Sequence, residues 1–205
     1  GIKVLFAPDS YGALSSTDAI KRLSVAARRH FQGVKIVPVP MTYGGCGMVR
    51  ALVTACEGAY RTAKITPLVP EGKSSAVYGV LHGKTAVLAL AEVLPCEGEG
   101  TASLNAGELI RRALDEGLRE IVLGTAESAI RDCGMGCMRA LGVKFYDAEG
   151  TELKGSAEEL GRVAAVDTEY LHPGLREARI TILNGGISET PAEYEEDAAV
   201  SYTHL

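Results

Sequence analysis

The chain has 205 residues, of which 46% are hydrophobic and 23% charged, so it carries enough apolar sequence for a folded core and too few charges for wholesale disorder. A formal net charge of -5 and the lack of a Lys/Arg-rich run argue against a nucleic-acid interface, and no apolar run is long enough to span a bilayer. Five widely spaced cysteines predict buried thiols in a reducing cytoplasm, and neither they nor the four histidines have the spacing of a metal site.

The first forty residues predict a strand, a helix and a second strand. Residues 3–7 predict a strand closed by Pro8, and 34–39 alternate between apolar and polar residues. The helix is expected over 18–30, with N-cap candidates at 15–18. Its expected inward face holds Ile20, Leu23 and Ala27. This order predicts parallel pairing of the two strands through a helical crossover.

A glycine-rich loop over residues 40–47 precedes the next helix, predicted over 48–56. Gly44, Gly45 and Gly47 would let main-chain N–H groups approach an anion closely. An ordinary strand-to-helix turn explains the same glycines.

Three further strand-like segments lie between residues 59 and 90, separated by turn signals. They predict an antiparallel or mixed meander. We therefore expect residues 59–100 to form an inserted, strand-rich lobe.

The segment from residue 106 to 142 predicts a helix, a buried strand, a loop and a second helix. Asn105 is the expected cap of the helix over 106–116, and the strand is expected at 121–123. The expected inward residues of the helix are Leu109, Ile110, Ala113 and Leu114. The loop holds Asp132, which is placed either for chemistry at the edge of a parallel sheet or as a helix N-cap.

Residues 143–183 predict a strand at 143–146, a hairpin turn at 147–150, a helix capped by Ser156 and a strand at 178–183. Residues 188–205 are acidic and aperiodic, and we expect them to be a disordered or non-native tail. The whole pattern predicts an α/β protein with a parallel, Rossmann-like or flavodoxin-like sheet. That part would comprise 1–58 and 101–187, with the smaller mixed-strand lobe at 59–100.

Several stretches, in order along the chain, resemble the bacterial glycerate 2-kinase type of glycerate kinase over about residues 2–183. They are Ala7-Pro8-Asp9-Ser10-Tyr11 with Leu14-Ser15, Val39-Pro40-Met41 with Gly44-Gly45 and Gly47, Tyr78-Gly79-Val80-Leu81 with Gly83-Lys84-Thr85-Ala86-Val87, Gly107-Glu108-Leu109-Ile110 with Ala113-Leu114-Asp115, Ser128-Ala129 with Asp132 and Gly134, and Ala140-Leu141-Gly142-Val143. Members of that family are longer, so the resemblance covers their N-terminal part and implies a truncated chain.

The resemblance implies an α/β enzyme that phosphorylates D-glycerate with ATP and Mg²⁺. Such a reaction relies on positioning and charge neutralisation. By the resemblance, Asp132 and Asp9 are the catalytic carboxylates. The residues that would bind substrate or phosphate are Ser10, Gly44, Gly45, Gly47, Ser128, Arg131 and Gly134.

The chain departs from the family pattern at all three loops. Gly12 stands where a lysine is usual, and Tyr43, Cys46 and Met48 replace Asp, Glu and Thr. In the third loop, Glu127, Arg131 and Cys133 replace Gly, Asn and Gly. Glu127 brings a negative charge that opposes anion binding.

Two functions follow from these observations. The first is phosphorylation of glycerate. The second is that of an inactive relative that binds a small organic acid, a nucleotide or a protein partner. Asp9 and Ser10 also suit a turn or a cap, and Arg131 could grip an anion, pair with Glu127 or point into solvent.

Overall fold

The computed structural model describes residues 1–68, 72–93, 103–126 and 130–185. Its α-helices are α1 (Ser16–His30), α2 (Met48–Ala55), α3 (Leu90–Val93), α4 (Leu104–Asp115) and α5 (Met135–Ala140). Its strands are β1 (Lys3–Phe6), β2 (Lys35–Pro38), β3 (Ala59–Lys64), β4 (Ser75–Leu81), β5 (Thr85–Ala89), β6 (Glu120–Gly124), β7 (Lys144–Tyr146), β8 (Glu152–Leu153), β9 (Ala165–Asp167) and β10 (Arg179–Leu183). Short 3-10 helices span Ala157–Arg162 and Pro173–Arg176.

The larger sheet of the described residues is mixed, with the strand order β10-β6-β5-β4-β3. Strands β10, β6 and β5 are parallel to one another, whereas β4 is antiparallel to both β5 and β3. The α/β class is confirmed, but the expectation of a parallel sheet is wrong, because the sheet is mixed. The meander at 59–90 pairs with β6 and so completes this sheet. The domain division at residues 58, 100 and 187 itself stays a prediction.

Strands β1 and β2 form a parallel pair of their own, in register from Lys3 with Lys35 to Phe6 with Pro38. Helix α1 makes the crossover between them, as the sequence predicts. Ser15 is the N-cap and its hydroxyl accepts the Asp18 N–H. The expected inward face is partly wrong, because Ile20 and Ala27 are buried but Leu23 is 41% exposed.

Helix α4 packs on the larger sheet and supplies much of the core. Its four predicted inward residues are all buried against sheet residues such as Tyr78, Leu88 and Ile121. The predicted cap is wrong by two residues: Ser103 precedes the helix, while the Asn105 amide lies within it and donates to the Thr66 carbonyl.

Helices α4 and α5 approach each other closely at Gly107. A Cβ on this residue would lie 2.3 Å from the Cys137 carbonyl oxygen and 2.8 Å from the Ala140 methyl. Only glycine therefore permits this contact.

A small antiparallel sheet with the order β8-β7-β9 follows α5. The predicted hairpin turn is confirmed, because the Asp147 carboxylate accepts the Glu149 and Thr151 N–H groups. Ser156 and Glu159 form a capping box, but the helix they start is a 3-10 helix. The parts of the chain that the structure describes contain no helix with the length and hydropathy needed to cross a membrane. The predicted tail at 188–205 lies outside the described residues.

We expect Gly107→Ala to lower the free energy of unfolding by about 1–3 kcal/mol, because the added methyl must push α5 away. Urea denaturation measures this loss. Gly161→Ala is the matched control, since its Cβ would meet no atom within 4 Å. Equal stability of the two variants would contradict the close packing.

Candidate functional site

A cleft lies between the end of β1 and the loop that precedes α2. The space inside it is about 20 Å³, room for roughly one water molecule and far below the roughly 300–1,000 Å³ usual for ligand sites. Its walls are largely hydroxyl-bearing and small residues: Asp9, Ser10, Ser15, Ser16, Thr17, Met41, Thr42, Tyr43, Cys46, Gly47 and Ala51. The polarity of these walls suits a small organic acid, but the walls must move apart to admit one.

Ser16 joins the two loops of the cleft. Its hydroxyl donates to the Pro8 carbonyl at 2.6 Å and accepts the Met41 N–H at 2.9 Å. The side chain is buried, so these bonds hold the end of β1 against the end of β2.

An ion pair ties α1 to α2 beside the cleft. The Arg50 guanidinium donates to both oxygens of Asp18, at 2.8 and 3.1 Å. These bonds, followed by that from the Ser15 hydroxyl, lower the pKa of Asp18 to about 2. The N-cap residues of both helices, Ser15 and Gly47, consequently face the same cleft.

The glycine-rich loop rests on the carboxyl ends of β6 and β10. Gly44 has a positive φ of 96°, and a Cβ there would lie 2.3 Å from the Leu183 carbonyl. The Gly185 N–H donates to the Tyr43 carbonyl. Gly44 and Gly45 are buried, so of the three predicted anion-binding glycines it is Gly47 that lines the cleft.

A carboxylate already occupies the start of α2. Glu92 Oε1 accepts the Gly47 N–H at 3.0 Å. Burial raises the pKa of Glu92, against the opposing effects of the Gly47 and Val49 N–H groups and of Lys73. The N-terminus of this helix is thus partly satisfied by the protein itself.

Asp132 is 1% exposed and joins α4 to α5. Its Oδ2 accepts the Ser103 N–H at 2.7 Å, the Ser103 hydroxyl at 3.0 Å and the Gly136 N–H at 3.0 Å, and its Oδ1 accepts the Gly134 N–H at 3.0 Å. The Ser103 hydroxyl in turn accepts the Cys137 N–H. This arrangement fits the N-cap alternative for Asp132, whereas its catalytic role stays a prediction.

The other residues predicted in the third loop do not share one location in the structure. Ser128 and Glu127 lie outside the described residues. Arg131 is exposed. Gly134 has a φ of 81° and precedes α5, with its N–H on Asp132.

The structure therefore brings Asp9, Ser10 and Gly47 together in one cleft, and places Asp132 and Gly134 at the α4–α5 junction. Sequence reasoning missed Ser16 as the link between the two loops, although the Ser-Ser-Thr-Asp run marked it as a cap candidate. It also missed Glu92, whose partner Gly47 is 45 residues away. No local pattern reports such a distant pairing.

Asp9 is the exposed carboxylate of the cleft, and its Oδ1 accepts the Ser10 N–H at 2.7 Å. No group of three or more His, Cys, Asp or Glu side chains within the described ranges could hold a metal ion. One carboxylate nevertheless fits Mg²⁺, which keeps several waters and often relies on one or two carboxylates plus substrate oxygens.

The sequence matches the model of the glycerate kinase family over residues 4–185. It is 35% identical over 191 residues to the glycerate 2-kinase of Escherichia coli K12, covering 88% of this chain and 50% of that protein. It is 31% identical over 192 residues to the glycerate kinase of Haemophilus influenzae, with the same two coverages.

The fold matches a crystal structure from Salmonella typhimurium LT2, provisionally assigned as glycerate kinase 2. The TM-score is 0.76 at 30% identity, covering 89% of this chain and 52% of that one. The chain spans about half the length of the curated relatives it matches.

Replacement of Asp18 by Asn should destabilise the protein at pH 6, because it removes the charge that Arg50 binds. Folding lowers the pKa of Asp18 from its usual 3.8 to about 2. The stabilisation by the Asp18 charge is therefore complete above pH 3.8 and is lost as the pH falls toward about 2. Urea midpoints of both proteins across this range measure the effect. A difference that stays constant from pH 6 to pH 2 would contradict the ion pair.

We expect Asp132→Asn to lower the free energy of unfolding by about 2 kcal/mol or more, since an amide nitrogen would face buried N–H donors. Asp9→Asn, at an exposed position, should change it by less than about 0.5 kcal/mol. Chemical denaturation compares them. Equal stabilities would show that Asp132 does not hold the α4–α5 junction.

Proposed function

Because the chain belongs to the glycerate kinase family, we propose that it takes part in ATP-dependent phosphorylation of D-glycerate and that its cleft binds the hydroxy acid. The observation that carries the proposal is the cleft itself, where the N-cap residues of α1 and α2 meet among hydroxyl groups. The start of α2 already binds Glu92, so the hydroxyl groups are what we propose to bind a small polyol acid.

Ser10, Thr17 and Thr42 are the residues that we propose to hold the acid. Each lines the cleft, and Thr17 lies in the first turn of α1. Hydroxyl groups can donate to a carboxylate and accept from an alcohol, so they can bind both ends of glycerate.

Asp9 is the residue that we propose acts on the reacting alcohol. Its carboxylate is exposed to the cleft and could accept the proton of the hydroxyl that becomes phosphorylated. It would also be the carboxylate that holds Mg²⁺. When bound, Mg²⁺ neutralises charge on the phosphates.

The glycine loop fits a triphosphate poorly in this arrangement. Gly44 and Gly45 are buried, and the Gly47 N–H already donates to Glu92. We therefore place no step of phosphoryl transfer on this loop. The roles predicted for Asp132, Arg131, Gly134 and Ser128 also remain proposals.

The Glu92 and Asp132 carboxylates favour a second function. The Glu92 carboxylate accepts the N–H of Gly47 in the predicted phosphate loop. The buried Asp132 carboxylate accepts four hydrogen bonds. An inactive relative that still binds a small organic acid, a nucleotide or a protein partner would retain such a cleft without needing either carboxylate for chemistry.

A coupled assay of ADP release from ATP with D-glycerate separates the two functions. If the chain is a kinase and Asp9 acts on the alcohol, Asp9→Asn should reduce kcat by about 100-fold or more. Glu149→Gln, at an exposed turn away from the cleft, is the control and should retain activity.

Thermal melting with D-glycerate completes the test. A rise in melting temperature without turnover would support the binding function. If the chain shows no turnover and D-glycerate causes no melting shift, the cleft is rejected as a glycerate site. Full activity of Asp9→Asn would reject the role of Asp9.

A further inference from the structure

The N-terminus of α2 lacks a local cap. Gly47 has a left-handed φ of 82° and no side chain to accept from the first N–H groups of the helix. The first turn contains no acidic residue either. Unsatisfied N–H groups at such an end carry a partial positive charge and favour an anion.

Glu92 supplies that anion from a distant part of the chain. It lies in α3, directly after β5, and its Oε1 is 3.0 Å from the Gly47 nitrogen. A neighbouring contact joins the same loop to α3, because the Cys46 thiol donates to the Ala91 carbonyl at 3.7 Å. The glycine loop is thus fastened to α3 at two successive residues.

Partial burial disfavours the charged form of the Glu92 carboxylate, and the neighbouring positive groups offset this cost. Glu92 is partly buried, and burial raises its pKa. The charged side chain that faces it among the described residues is Lys73, whose Nζ donates to the Glu92 carbonyl oxygen at 3.1 Å. The positive end of α2 on one side and Lys73 on the other surround the carboxylate with favourable charge.

We propose that Glu92 is the resident anion of α2 and excludes external phosphate from the loop at residues 44–47. Glu92 is a positioning residue: it holds the loop and sets which charged groups the cleft accepts. A phosphate group must bind elsewhere in the cleft or displace this carboxylate. The proposal holds whether or not the chain phosphorylates glycerate, because it concerns anion selection alone.

The Gly47 amide resonance in ¹H–¹⁵N NMR spectra of the full chain tests the proposal, with inorganic phosphate as the probe and chloride matched for ionic strength. In the wild type, this resonance should follow the titration of a carboxylate with pH and ignore phosphate at pH 7. In Glu92→Ala, the Gly47 amide should shift saturably with phosphate over the concentration range that leaves the wild-type resonance unmoved.

Glu108→Ala is the matched control. Glu108 also accepts a main-chain N–H from a distant residue, that of Thr66 at 2.8 Å, so its loss removes a comparable bond. It should leave the Gly47 amide insensitive to phosphate. A saturable phosphate shift at Gly47 in the wild type would overturn the proposal, as would none in folded Glu92→Ala.

Glu92→Gln covers the case in which Glu92→Ala does not fold. The amide oxygen can still accept the Gly47 N–H, but it carries no charge and does not titrate. The pH response of Gly47 should therefore disappear in this variant. Its persistence would show that another group is the resident anion.

Discussion

The main-chain N–H groups at the starts of helices need acceptors, and the way this chain supplies them shapes both its fold and its cleft. The Ser15 hydroxyl serves α1 by accepting the Asp18 N–H, and it donates to the Asp18 carboxylate. Glu92 serves α2 from α3, and Asp132 serves the start of α5 while it also binds the residue before α4. The last two carboxylates link elements far apart in sequence, so each is a tertiary contact as well as a cap.

These caps explain why the cleft is where it is. The Asp18–Arg50 pair draws α1 and α2 together at their first turns, and Ser16 fixes the ends of β1 and β2 between them. Gly44 then allows the loop to lie directly on Leu183 of β10. Hydroxyl groups line this cleft, and the Glu92 carboxylate bound at the start of α2 distinguishes the loop from an open phosphate cradle.

Local patterns in the sequence predicted local structure well. The run Ile121-Val122-Leu123 predicted the buried parallel strand β6, and the spacing of Leu109, Ile110, Ala113 and Leu114 predicted the inward face of α4. Pairing between distant segments was harder. The strands of 59–90 carry the alternation of a meander whether they form a separate lobe or join β6, so the sequence could not distinguish the two.

The candidate site shows the same limit. The family resemblance implied that Asp9, Ser10 and Gly47 belong to one site, and all three line the cleft. Asp132 has the same sequence signature for chemistry as for a cap, and only the four hydrogen bonds from Ser103, Gly134 and Gly136 separate the two roles in space. Glu92 follows an apolar strand with no motif around it, and nothing local points to its partner.

The most direct test of this account is a crystal structure of the chain soaked with D-glycerate. The account predicts glycerate bound between Ser10, Thr42 and Gly47, with the Glu92 carboxylate still within hydrogen-bond distance of the Gly47 nitrogen. Glycerate seated on the Gly47 N–H with Glu92 displaced, or bound outside this cleft, would contradict it.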